Sequence, residues 1–306
     1  MVEEKEATAD DVSLYRKNAM GRFFMAFSLS RNLNKLFSMR NFGPVESRRI
    51  EENKFEKHMQ LLDGVRVLSM FWVILGHTYV FSVYSATYNP FIMKDYYKQP
   101  LFQIVIGALF AVDTFFFLSA FLGAYSFLRL RNVTPGLFLK AYWHRFYRLI
   151  PMYAFVMMVG FYLTYYIGNG PVWGLYEDAW ADCGKWWWTN LLFINNIYPL
   201  HFGNTCMIWS WYLANDMQFF LLLPPLMVVT RKSRIAGVIC ILVLMCVSIV
   251  LNMVTMFDKG YGVLTMLDDN YFLDNYTKPW IRITPYLLGL LAGIAFVDFV
   301  NQQRNV

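Results

Sequence analysis

The residues best suited to chemistry are Arg66 and His77, in the apolar stretch LLDGVRVLSMFWVILGHTYVF. They are eleven positions apart, which on a helix is three turns plus about 20°. They would therefore share one face, separated by roughly 16 Å along the axis. A cation at one end of such a face can hold an anionic donor, while an imidazole at the other can act as general base on a hydroxyl. The alternative is that this stretch is an ordinary membrane span without a site, in which Arg66 only extends to the membrane surface and His77 only caps an interface.

A carboxylate lies midway along a second apolar stretch, at Asp113 in VDTFFFLSAFLG. Ionisable side chains inside a membrane are costly and usually mark a functional position. We expect Asp113 to have a partner, either His77 or an arginine of a neighbouring helix. Such a carboxylate would orient the histidine or form a structural ion pair, and the sequence leaves both interpretations open.

Two further segments carry polar groups that could bind a substrate. Arg145 and Arg148, in WHRFYRLIPMY, are three positions apart on one helix face, just before a third apolar stretch. Two guanidinium groups in this arrangement can grip phosphates, or they can serve only as a basic membrane anchor. In WSWYLANDMQFF, Asp216 stands beside Asn215 and near Gln218. These groups suggest the wall of a pocket, or they satisfy one another.

The elements that must position these residues are membrane helices. Of the 306 residues, 57% are hydrophobic and only 16% are charged, against about a quarter charged in soluble domains. A membrane span needs about 20 apolar residues. We predict an all-α, polytopic helical bundle with six spans, at about 65–83, 101–128, 149–167, 212–230, 235–256 and 280–300.

The charges of the loops predict the orientation of these spans. The segment 129–148 and the turn RKSR, at 231–234, are basic and carry no acidic residue, whereas the alternate loops are acidic or mixed. Lys and Arg close to a span mark the cytoplasmic side. We therefore expect both termini in the cytoplasm and the loops 84–100, 168–211 and 257–279 outside it.

Residues 1–60 are expected to form a cytoplasmic N-terminal region, ahead of a transmembrane domain at 61–306. The first twenty residues are polar and do not resemble a secretory signal peptide. Phe and Leu residues alternate with basic residues over 22–37. This pattern indicates an amphipathic segment on the inner leaflet, or equally a cytoplasmic helix packed on the inner loops.

The predicted outer loops contain two candidate modification sites. Cys183 and Cys206 lie in the same loop, where oxidation to a disulfide is possible; two free thiols are the alternative. Asn275 begins the sequence Asn-Tyr-Thr, which is a glycosylation acceptor on that side of the membrane. The four histidines are dispersed, so we expect no metal site. The basic residues form no patch of the kind that binds nucleic acid.

Taken together, LLDGVRVLSMFWVILGHTY, VDTFFFLSAFLGAY and HRFYRLIPMY resemble the acyltransferase 3 family of multispan membrane proteins. GHTY, WWWTNLLFINN between the paired cysteines, and WSWYLANDMQFF resemble its animal branch, the nose resistant to fluoxetine proteins. By this resemblance, Arg66 and His77 match the arginine and essential histidine of the family's first span. Asp113 matches the aspartate of its second span, and Arg145 with Arg148 matches a basic pair ahead of a proline.

The resemblance implies an integral membrane O-acyltransferase. An acyl group would pass from acyl-CoA, the donor substrate, to a hydroxyl acceptor, with His77 and Asp113 catalytic and Arg66, Arg145, Arg148 and Asp216 binding substrate. No bound cofactor is expected, and membrane lipids are the expected partners, in the plasma membrane or endoplasmic reticulum. The family core has about ten spans, so the six found here predict part of that domain. The alternative is a non-catalytic carrier or binding protein for lipids or hydrophobic small molecules.

Overall fold

The computed structural model describes residues 20, 28–30, 33, 47–84, 93–96, 98–130, 132–170, 173–199, 205–261 and 271–304. The chain divides into two compact units, Met1–Met59 and Gln60–Val306. In the first unit, the description covers a few single positions and the helical backbone from Ser47. The predicted amphipathic segment 22–37 lies mostly outside the described residues.

The described part of the chain is helical, without a strand. The longer helices are α1 (Ser47–Tyr84), α4 (Ala111–Leu128), α5 (Pro135–Ile167), α8 (Trp211–Lys232), α9 (Arg234–Lys259) and α11 (Thr284–Arg304). The shorter ones are α2 (Met93–Tyr96), α3 (Phe102–Ile106), α6 (Gly174–Ala181), α7 (Cys183–Leu191) and α10 (Pro279–Arg282). Two 3₁₀ turns, Gly107–Phe110 and Ile208–Ser210, and a π-helix, Phe272–Tyr276, connect them.

Six helical stretches are long and apolar enough to cross a membrane: Leu61–Ser82, Phe102–Leu128, Pro135–Ile167, Ile208–Lys232, Arg234–Lys259 and Pro279–Gln303. They confirm the predicted all-α bundle and the number of spans. The third span begins earlier than the predicted position of about 149, because α5 runs unbroken from Pro135 through Pro151. Proline at the first helical position is well tolerated. Arg145 and Arg148 therefore lie within this helix rather than ahead of it.

The main core forms where α4 packs against α8 and α11, with α9 completing the bundle. Gly289 of α11 lies directly on the backbone carbonyl of Phe117 and on Ala120 of α4, so that a Cβ atom would clash there. Small residues at a contact allow membrane helices to approach closely. Gly289 thus lets α11 pack directly on the backbone of α4.

A second core cluster joins α5 and α7 to the start of α8. The Cys183–Cys206 disulfide lies inside it, with both residues almost fully buried. This bond was predicted from the sequence and is confirmed. Beside it, Asn190 donates hydrogen bonds to the Cys206 carbonyl (2.8 Å) and to the Tyr153 hydroxyl (2.8 Å). The cluster holds one end of α5 and α8 together.

Candidate functional site

Helix α1 packs on the second span through a single stripe of side chains. Ser69 accepts a hydrogen bond from Thr114 (2.7 Å), and the Trp72 indole donates to the Ile104 carbonyl (2.6 Å). Gly76 contacts Ala108 so closely that a Cβ atom would clash there. At 100° per residue, Arg66 and His77 lie on the neighbouring face of the same helix. Their shared face was predicted, and it is not the face that contacts α4.

His77 is exposed on α1, and its Nδ1 lies 2.8 Å from the carbonyl oxygen of Val73, one turn earlier. A carbonyl oxygen only accepts hydrogen bonds, so Nδ1 must carry the proton of this interaction. In the neutral ring, Nε2 then keeps its lone pair. The contact with the α1 backbone therefore leaves Nε2 as the nitrogen that can accept a proton.

Arg66 forms an ion pair with Asp63, at 2.9 Å between Nη1 and Oδ1. Both side chains are substantially exposed, at 41% and 69%. Exposed pairs of this kind contribute little to stability. The Arg66 guanidinium can therefore exchange this carboxylate for another anion at little cost, and its substrate-binding role stays a prediction.

The interior of the bundle contains a charged cluster drawn from three helices. Arg145 of α5 forms an ion pair with Asp216 of α8. The Ser119 hydroxyl of α4 donates to the other carboxylate oxygen of Asp216, at 3.1 Å. The Arg145 guanidinium also lies over the ring of Phe220, 4.3 Å from its centroid. Arg145 and Asp216, both predicted as substrate-binding residues, are thus in contact, and their charges neutralise each other.

Asp113 pairs with Arg282 of α10, with 3.2 Å between Oδ1 and Nη2. The guanidinium also donates to the Leu109 carbonyl (3.3 Å) and lies over the ring of Tyr276, 4.2 Å from its centroid. The partner is therefore an arginine of a neighbouring helix, one of the two predicted possibilities. No described contact joins Asp113 to His77. The arrangement suits a structural pair better than an aspartate that orients the histidine.

A network of amide side chains surrounds Asn196, next to the disulfide cluster. The Asn196 amide donates to Asn215 (2.6 Å), and the Gln218 amide donates to the Asn196 oxygen (2.8 Å). Asn215 donates in turn to the Thr277 carbonyl (3.1 Å), and Lys278 to the Asn196 carbonyl (2.9 Å). Asn215 and Gln218 therefore satisfy other buried groups, whereas Asp216, between them in sequence, reaches the charged cluster.

Arg148 is exposed on α5 and does not share the interior position of Arg145. Among the described residues, no three His, Cys, Asp or Glu side chains come together as a metal site would require. The candidate site thus consists of the face of α1 that bears Arg66 and His77, together with the interior cluster at Arg145.

The sequence of the second unit matches a known family. Residues 60–305 fit the family described as "Acyltransferase domain" over nearly the whole second unit. The chain belongs to the acyltransferase 3 family. Its membership and its six apolar helices make it a multi-pass membrane protein of that family.

Two curated relatives from Caenorhabditis elegans are similar to this family member. "Nose resistant to fluoxetine protein 6" is 33% identical over 93% of this chain and 36% of its own length. "Regulator of hypoxia-inducible factor 1" is 25% identical over 90% of this chain and 55% of its own length. The chain therefore spans from about a third to about half of these relatives. No solved structure matches it.

The predicted glycosylation of Asn275 does not fit the fold of this acyltransferase 3 domain. Asn275 is only 1% exposed, and its amide donates to the sulfur of Met256 at 3.1 Å. A glycan attached to this nitrogen would displace the surrounding core. The sequence motif is present, but the π-helix Phe272–Tyr276 turns the acceptor side chain inward.

Two participants in these clusters were not predicted as site residues. Arg282 was treated as the beginning of the sixth span, although a charge so close to the apolar segment PYLLGLLAG was a signal that it needs a partner. Ser119 was not singled out among the polar residues of the second span. Its contact with Asp216 joins residues 97 positions apart, which no local pattern reveals.

Proposed function

We propose that this protein is a membrane O-acyltransferase that moves an acyl group from acyl-CoA to a hydroxyl acceptor. The observation that carries the proposal is the contact of His77 Nδ1 with the Val73 carbonyl oxygen, which leaves Nε2 as the available base on an exposed helix face. In the proposed step, Nε2 takes the acceptor's proton while the acceptor oxygen bonds to the acyl carbon. The carbon–sulfur bond breaks, its electron pair goes to sulfur, and the histidine returns the proton to the thiolate.

Basic side chains supply the proposed donor site. Arg66 is about three helical turns from His77 and is exposed. CoA carries several phosphates, and guanidinium groups are the side chains best matched to them. Arg66 and Arg148 are the exposed members of this set, and Arg145 joins them when it separates from Asp216. Following the loop charges, we place these arginines towards the cytoplasm and His77 towards the other side.

The proposed role of Asp113 is indirect. Its pairing with Arg282 fixes α4 against α10, and α4 also carries Ser119 and Thr114, which bonds to Ser69 of α1. Asp113 therefore positions the helices of the site, while the Val73 carbonyl orients His77.

The test is acyl transfer by the purified chain in liposomes, with labelled acyl-CoA and a panel of lipid and sugar alcohols. General base catalysis contributes roughly 10²–10⁴-fold, so His77→Ala should lower the rate by about that factor. His144→Ala, at an exposed histidine of α5, is the matched control and should keep the wild-type rate. Undiminished transfer by the His77→Ala protein would exclude the role proposed for this residue.

A carrier or binding protein for hydrophobic molecules is the second candidate. The observation that favours it is the mutual neutralisation of Arg145 by Asp216 and of Arg282 by Asp113. Such pairs leave a polar but uncharged surface, which suits ligands without phosphates. In the same liposomes, a carrier would take up labelled fatty acid or sterol without forming any ester. Accumulation of acylated acceptor without such uptake would eliminate this candidate.

A further inference from the structure

Tyr286, near the start of α11, is buried with its hydroxyl unsatisfied. The residue is 0% exposed, and the hydroxyl oxygen has no hydrogen-bond partner among the residues that the structure describes. Nearly all buried polar groups in proteins are hydrogen-bonded, and each exception calls for an explanation. Most buried tyrosines likewise find a partner for the hydroxyl.

The position of Tyr286 relates it to the charged cluster. Its ring packs against Phe219 of α8, 5.4 Å between centroids. Asp216 is three residues before Phe219 and thus on the same face of α8. Tyr286 therefore faces the turn of α8 that carries both Asp216 and Phe219.

The pair itself is partly exposed. The Arg145 and Asp216 side chains are 22% and 16% exposed, so a phosphate can approach the guanidinium. If Arg145 turns to bind a phosphate, it loses its contact with the Asp216 carboxylate. Asp216 would then keep only the hydrogen bond from Ser119, and a buried charge without sufficient partners is strongly destabilising.

We propose that Tyr286 donates a hydrogen bond to Asp216 when Arg145 leaves it to bind a phosphate of the acyl donor. This inference rests on the proposed function, and it makes Tyr286 a positioning residue that acts through Asp216. In the resting arrangement, Arg145 pairs with the Asp216 carboxylate and the Tyr286 hydroxyl does not bond to it. The exchange keeps Asp216 solvated by two hydroxyls, Ser119 and Tyr286, while the guanidinium is engaged elsewhere.

The first experiment measures binding of CoA to the purified full chain in detergent. A hydrogen bond to a charged group contributes enough that Tyr286→Phe should weaken CoA binding about tenfold or more. Tyr162→Phe, at an exposed position of α5, should bind CoA as the wild type does. Pantetheine, which lacks the phosphates, is the matched ligand, and its binding should be unaffected by Tyr286→Phe.

The second experiment asks whether Tyr286 acts through Asp216. Asp216→Asn removes the charge that needs a new donor, so CoA should bind at least as tightly as to the wild type. In this background, Tyr286→Phe should have no further effect. If Tyr286→Phe weakens CoA binding by the same factor in both backgrounds, the hydroxyl contacts the ligand directly and the inference is wrong.

Thermal unfolding without ligand provides a readout that does not depend on the Asp216→Asn protein. Removal of a hydroxyl with no partner should leave the melting temperature of Tyr286→Phe equal to or above that of the wild type. A clear decrease would mean that the hydroxyl is already bonded at rest, which overturns the inference. If the wild type and the Tyr286→Phe protein bind CoA equally, the inference is overturned and the proposed donor is not. If the wild type binds no CoA, the proposed donor is overturned as well.

Discussion

Arg282 and Asp113 form a buried ion pair across 169 positions of the chain. The pair joins the short helix α10 to the second span, and the guanidinium is held between the carboxylate and the ring of Tyr276. The two side chains are 10% and 22% exposed. Their contact fixes where the sixth span begins relative to α4.

Removing one partner of this pair should destabilise the bundle strongly. Arg282→Met leaves Asp113 as an unpaired charge in a poorly solvated position, which costs about 3–5 kcal/mol. The double variant Asp113→Asn/Arg282→Met should recover most of the loss, because no charge remains. Chemical unfolding in detergent measures the free energy of unfolding of the single and the double variant.

The exposed pair of Arg234 and Asp298 is the control for this experiment. Its side chains are 40% and 44% exposed, and such pairs contribute about 0–1 kcal/mol. Arg234→Met should therefore change the free energy of unfolding little. Equal losses in Arg234→Met and Arg282→Met would show that burial of the Asp113 pair has no energetic consequence.

Gly289 should not tolerate a side chain. A Cβ atom there would meet the Phe117 carbonyl and the Ala120 methyl of α4, and neither can move without separating the two helices. We expect Gly289→Ala to cost about 1–3 kcal/mol, as overpacking of a core does. Gly136→Ala, where a Cβ atom meets nothing within 4 Å, is the control. The prediction fails if the two variants unfold alike.

Asn275 should carry no glycan in the folded protein. Its side chain is buried, so the wild type expressed in animal cells should show no mobility shift after glycosidase treatment. Asn275→Gln should migrate as the wild type does but unfold more readily, because the longer amide must fit the space beside Met256. A glycosidase-sensitive band absent from Asn275→Gln would refute this expectation.

Lys278 should make stability depend on pH in the alkaline range. Burial lowers the pKa of its ammonium group below the ordinary value of 10.5, and the charge of Asp274 opposes this only partly. Between the lowered pKa and 10.5, the unfolded chain binds more protons than the folded one. The free energy of unfolding should therefore rise with pH across that window and be independent of this group below it.

The comparison of Lys278→Met with the wild type isolates this contribution. The free energy of unfolding of the variant should rise less with pH, because the contribution of Lys278 is missing. Unfolding at several pH values up to 10.5 measures this. Lys98→Met is the control, because the Lys98 side chain is 78% exposed. An identical pH dependence in the Lys278→Met protein and the wild type would contradict the assignment.

The spans were predictable because a membrane helix is specified by about 20 consecutive apolar residues, which is a local property. The start of α5 was not predictable, because His144, Arg145 and Arg148 give that part of the helix the polar composition of a loop. Arg145 is accommodated there by Asp216, 71 positions later. A local window cannot contain such a partner.

The candidate site was likewise predictable where it depends on local geometry, and not where it depends on contacts between helices. The common face of Arg66 and His77 follows from helical geometry alone, and the sequence suggested an arginine partner for Asp113. Which arginine it is depends on how α10 packs against α4, and the sequence does not specify that contact. Tyr286 gave no signal at all, since a tyrosine in an apolar helix is ordinary and only its unsatisfied hydroxyl distinguishes it.

The separation of Asp113 from Arg282 also has a consequence in time. Chains are synthesised at about 5–20 residues per second, and 169 residues lie between the two partners. Asp113 therefore emerges from the ribosome roughly ten to thirty seconds before the arginine that neutralises it. The second span enters the membrane with its charge unmatched, and assembly of the bundle around α4 waits for the sixth span to be made.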